Sequence, residues 1–222
     1  MKKNKYLLFL CLIISILVTG CTQGPPTIKE LNDAKKKIAE KYDKMAKSAK
    51  GVPDELQEGY EDLTTYIEED YSWIQKQNIE KTKYKSIQEM EKKLSSCQKR
   101  TDDLFDDFKY IESRSNKYFK MLKKNLESID RIDLKRRQER RISDVKSQLD
   151  NVLKNTSIKL NQLNEKVEAY AGIVAFLRGD LALDIIGSKT IDDMQEIALS
   201  AKSLSEEISA YIEEGNNLIE NI

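Results

Sequence analysis

The stretch that decides the fold is IQEMEKKLSSCQKRTDDLFDDFKYIESRSNKYFKML, residues 87–122. Its positions Ile87, Met90, Leu94, Cys97, Thr101, Leu104, Phe108, Ile111, Ser115, Tyr118 and Leu122 follow a strict 3-4-3-4 alternation, mostly apolar. Such spacing keeps one stripe of a helix facing a partner helix. The pattern sits in a longer run, Tyr60 to Ala171, without a single glycine or proline. Two further runs follow: Ile142, Val145, Leu149, Val152, Thr156, Leu163, Val167, Tyr170, Val174, Leu177 and Leu181, then Met194, Ile197, Ala201, Leu204, Ile208, Tyr211, Leu218 and Ile222. The reading is an all-α chain, an elongated antiparallel helical bundle with a projecting two-helix coiled-coil hairpin.

Composition agrees with thin helical packing. Charged residues make up 34% of the chain and aromatics only 7%, which suits an elongated bundle better than a compact globule. The chain has no histidine, so it lacks the commonest general base, the commonest metal ligand and the usual pH switch. Gly-rich phosphate loops, Cys/His clusters and nucleophile elbows are also missing, so neither an enzyme nor a cofactor or metal site is expected. Paired acids such as Asp102-Asp103 and Asp106-Asp107 read as a helix face answering Lys99, Arg100 and Lys109. Cys97, on the seam, reads as a small buried apolar residue.

Residues 1–20 read as a lipoprotein signal peptide. Lys2, Lys3 and Lys5 precede an apolar core from Tyr6 to Val18, which is shorter than the roughly 20 residues of a membrane span. Leu17-Val18-Thr19-Gly20-Cys21 then resembles the bacterial lipobox, and that resemblance implies lipidation of Cys21, with palmitate among the acyl chains. Two or more chains hold a protein firmly where one binds marginally. The implied location is the cell envelope: the outer membrane if the cell has two, because Thr22 stands where a retention aspartate would, and otherwise the outer face of the cytoplasmic membrane. Removing the three leader lysines from 38 basic residues leaves 35 against 38 acidic, a net of −3. Such a balance gives no nucleic-acid signal.

The mature chain divides into a lipidated tether, 21–27, and one elongated helical domain, 28–222. Thr27-x-x-Glu30 has the form of a capping box. A first helix is expected to end near Lys50, because Gly51-Val52-Pro53 suits a C-terminal turn. A second should bend between Lys76 and Thr82, and a reversal is expected near Ser128–Asp133. The next helix should run to about Ile186. Gly187-Ser188-Lys189-Thr190 should close it, with Asp192 and Asp193 in the first turn of the last helix. Folding back from Ser188, that last helix would cover its neighbour only to about Lys154. The tip, about 109–153, would then stand bare, and its seam from Ile111 to Leu122 could pair between protomers as a homo-oligomer. A stripe of small residues, Ala171, Ala175, Gly179 and Ala182, should admit a further helix closely.

Charge follows this plan unevenly. Between Arg114 and Lys146 twelve basic residues face five acidic ones, and between Asp54 and Ile74 eight acidic residues face none. Lys135, Arg136 and Arg137 open a helix, where cations conflict with its dipole by about 0.3–1 kcal/mol each. A local rule broken without visible gain marks a candidate functional site. Lys123, Lys124, Arg131, Lys135, Arg136, Arg137, Arg140 and Arg141 are therefore the candidate partner-binding residues, for a protein or an anionic envelope polymer or headgroup. Nucleic acid is not expected, because aromatics for base stacking are sparse there.

The chain from about Tyr60 onward also resembles a family of helical bacterial lipoproteins known only as a domain of unknown function. The likeness rests on Leu104-Phe105-Asp106-Asp107-Phe108, on the basic helix start from Leu134 to Arg141, and on the stretch from Phe176 to Ile186. Arg178-Gly179-Asp180 stands where that family favours Lys-His-Asn, and Phe108 where it more often has tryptophan. The resemblance implies the helical architecture and the anchored location, with no biochemistry attached. The function expected is a lipid-anchored envelope structural or interaction protein that docks an anionic component through a basic tip. The alternative is a surface-exposed lipoprotein that binds host or environmental molecules.

Overall fold

The structure, a computed structural model, describes residues 24–70, 79–179 and 188–222. Four helices account for nearly all of them: α1 (Ile28–Asp70), α2 (Ile79–Leu126), α3 (Ile132–Gly179) and α4 (Ser188–Glu220). Each packs against its chain neighbours, and α1 packs against α4, so the four close into an antiparallel bundle. The 48 residues of α2 span about 72 Å.

The seam read from residues 87–122 is the α2 part of a core to which all four helices contribute. Nine of its eleven positions are buried and the other two, Leu94 and Leu122, are half-buried. Thr101 and Thr156 fit because each hydroxyl donates to the carbonyl four residues back, Cys97 at 2.9 Å and Val152 at 2.8 Å. Cys97 is fully buried, with Sγ 3.8 Å from the Val52 carbonyl. Burial pushes its thiol up to about 12, which leaves it protonated and inert at neutral pH.

The capping box forms as the sequence implies. The Thr27 N–H donates to Glu30 Oε2 at 2.7 Å, and the Glu30 N–H donates to Thr27 Oγ1 at 3.2 Å. These bonds hold the Glu30 carboxyl below its ordinary range.

The expected stop at Gly51-Val52-Pro53 is not a stop. Helix α1 runs through it, with Val52 and Pro53 buried. Proline has no N–H for the carbonyl four residues earlier, that of Ala49. Helix α4 supplies the missing donor: Ser205 Oγ donates to the Ala49 carbonyl at 2.6 Å. Gly51 serves a neighbour instead of a turn. A Cβ there would lie 2.5 Å from Arg100 Nη1, so the guanidinium rests on α1 backbone. Gly59 and Gly215 likewise leave room for the Tyr170 and Tyr42 hydroxyls, 2.3 Å and 2.5 Å from where a Cβ would stand. These are the close approaches. In the expected small-residue stripe, Ala175 is exposed and Ala171 only half-buried, so the described part of that stripe does not bring a further helix in.

Several boundaries shift. The expected bend at Lys76–Thr82 falls partly in 71–78, outside the described residues, while α2 is already helical from Ile79. Residues 180–187, which hold the expected end of the third helix, also lie outside them. Helix α4 starts at Ser188, so Asp192 and Asp193 fall beyond its first turn. On α4 the core line also slips by one residue near its end: Ile212 and Ile219 are buried, whereas Tyr211, Leu218 and Ile222 are half-buried.

The largest correction concerns the tip. Lys159 pairs with Glu207 at 2.7 Å, and Arg141 Nη2 donates to the Asn221 carbonyl at 2.7 Å. The fold-back point therefore precedes Ser188, and each residue of that offset moves the end of α4 by two positions along α3. On the other side the first turns of α1 border a groove shared with Arg114, Lys117, Tyr118, Met121 and Lys124. A two-helix end does stand clear, but only between Lys124 and Arg141 and not over 109–153. Ile111 and Tyr118, expected bare, are buried within the chain.

Candidate interaction surface at the hairpin end

The reversal between α2 and α3 is tight. Residues 127–129 donate backbone N–H groups to the carbonyls of Lys124, Asn125 and Leu126 at 3.1–3.3 Å, and Ser128 Oγ adds a 2.7 Å bond to Asn125. Such three-residue closure tightens the last turn of α2 and satisfies carbonyls that the helix leaves open.

Around this turn lie all eight candidate residues. Lys123, Lys124, Arg131, Arg136, Arg137, Arg140 and Arg141 are exposed, and Lys135 is half-buried. Arg131 pairs with Asp133 at 2.7 Å. That contact, with a backbone N–H from Leu134, holds the Asp133 carboxyl below its ordinary range. Arg141 is taken by the end of α4. Lys123, Lys135, Arg136, Arg137 and Arg140 have no ion-pair partner among the described residues. Arg136, Arg137, Arg140 and Arg141 line one shallow depression with Asp133, Asp144 and Val145.

Three apolar side chains share this end: Ile28 (75% exposed), Ile132 (68%) and Leu134 (41%). Sequence reasoning passed over them. The signal was present, because Ile132 and Leu134 stand two residues apart and cannot share the α3 stripe that begins at Ile142. The surface thus offers positive charge and protruding hydrocarbon, and no nucleophile–base pair. Cys21, the sequence-based lipidation site, lies outside the described residues. No described helix is long and apolar enough to cross a membrane.

No family model matches the chain, and neither curated proteins nor solved structures provide a match.

Proposed function

We propose that this chain is a lipid-anchored envelope protein, exported by residues 1–20 and held through Cys21, that docks an anionic component through its hairpin end. The observation that carries the reading is the group of cations at Lys123, Lys135, Arg136, Arg137 and Arg140, all exposed but half-buried Lys135, which have no ion-pair partner among the described residues. Long-lived exposure of like charges is tolerable where an anionic surface neutralises them. The likeness to helical bacterial lipoproteins of unknown function is compatible with this reading and adds no partner.

A photo-crosslinking side chain at Arg137 tests it in cells, with a second at exposed Glu206 on α4 as control. A product captured from Arg137 alone supports docking. Identical products from both positions would make the cations a solvated face.

A further inference from the structure

We infer that the hairpin end is a membrane-facing surface, and that the anionic component it binds is the phospholipid headgroup layer of the same membrane that holds the Cys21 lipid. This rests on the anchored, docking reading above and assigns its partner.

Chain geometry comes first. The hairpin end and the start of α1 lie at the same end of the bundle, since the first turns of α1 border Tyr118, Met121 and Lys124. The seven residues from Cys21 to Ile28 reach at most about 25 Å when fully extended. A bundle anchored at Cys21 therefore keeps this end close to the bilayer. The turn at 127–131 also lies beyond the level where α1 begins. It is well placed to meet the headgroups first.

Chemistry comes second, and independently. A surface that rests on an anionic bilayer needs cations for the headgroups and a few apolar side chains that enter the acyl boundary. Arg136, Arg137 and Arg140 supply the first and Ile28, Ile132 and Leu134 the second. Among the described residues only six large apolar side chains are strongly exposed, and three of them stand here. A wall polymer would use the cations but gives the isoleucines and the leucine no reason to protrude. The acids nearby do not cancel the charge. Adding residues 28–37 and 213–222 to 114–146 gives sixteen basic residues against ten acidic. Cations at the first turns of α3, unfavourable to the helix alone, face the one surface that compensates them.

The test uses the chain from residue 21 with Cys21→Ser, which keeps the whole bundle and removes the acyl chains. Binding is measured by sedimentation with phosphatidylcholine vesicles, with and without phosphatidylglycerol, at low and raised salt. The expected result is binding that needs phosphatidylglycerol and weakens with salt. It should fall by more than about tenfold when Arg136, Arg137, Arg140 and Arg141 become glutamate. Ile132→Ser with Leu134→Ser should weaken it at both salts, a loss that a purely ionic partner would not produce. Four reversals elsewhere, at Lys47, Lys99, Lys154 and Lys202, carry the same net charge and should leave most binding intact. Circular dichroism of each variant excludes unfolding as the cause. Equal binding to both vesicles, or equal loss in tip and control variants, overturns the membrane assignment. If Arg137 still captures a wall polymer or protein, the docking reading survives that failure. Absence of palmitate label at Cys21 in cells would remove the anchor, and the inference with it.

Discussion

The acidic segment of α1 and the basic end of the α2–α3 hairpin look alike as charge runs in the sequence, yet the fold treats them oppositely. Glu55 meets Arg100 at 3.3 Å and accepts from Ser96 Oγ at 2.7 Å, and Glu58 meets Lys93 across the α1–α2 interface. Those acids are answered by a neighbouring helix. At the hairpin end Arg136, Arg137 and Arg140 are exposed, and among the described residues no carboxylate of another helix pairs with them. A charge run is therefore structural or functional according to what packs opposite it. Linear sequence shows the run and not the opposite wall.

The sharpest way to break the comparison is through burial. Leu104→Ala, in the fully buried seam, should cost about 2–5 kcal/mol of stability by urea unfolding. Leu134→Ala, at the hairpin end, should stay within about 0.5 kcal/mol. Equal costs would mean that the end is not exposed in solution. Ser205→Ala should cost about 1–3 kcal/mol, because it leaves the Ala49 carbonyl buried without a donor. Restoring a backbone donor with Pro53→Ala in the same chain should recover most of that loss, and an additive double variant would refute the pairing.

A third measurement concerns the part-buried ion pair between Lys41 and Asp107, where α1 meets α2. The hydrogen bond to Asp107 raises the Lys41 ammonium above its ordinary value, so the folded state holds that proton more tightly. Its contribution is complete below the unfolded lysine pKa, and it fades as pH climbs through the higher folded value. Wild type should lose stability in that alkaline window more steeply than Lys41→Met. The smallest effect is expected at the hairpin end. Exchanging Arg136 and Arg137 for glutamine should leave stability unchanged or raise it by a few tenths of a kcal/mol, since like charges leave the start of α3. A clear loss would show that these arginines hold the fold.

How much of this was legible follows the physics of each signal. The seam from Ile87 to Leu122 was readable because heptad spacing is local, and so was the Thr27–Glu30 cap. The break assigned to Gly51–Pro53 was misread because both residues are breakers in isolation. What reverses them is a hydroxyl 156 residues away and an arginine on another helix. The hairpin end was legible in charge but not in extent. Its length depends on where the chain turns between α3 and α4, and a small error there doubles along the pair. The three protruding apolar side chains were missed because an off-stripe isoleucine carries meaning only once its neighbours are placed.

The bond from Ser205 to Ala49 has a consequence in time. The midpoint of the first helix receives its donor from the last helix, so α1 cannot satisfy itself while the chain is still being made. Contacts between residues so far apart also form late, because closing a long loop precedes any gain from them. The bundle therefore closes when its C-terminal helix arrives, and a shortened chain that stops before Ser205 keeps an open carbonyl at its proline. If residues 1–20 export the chain unfolded, as proposed, this latch lies on the last of the four described helices to emerge.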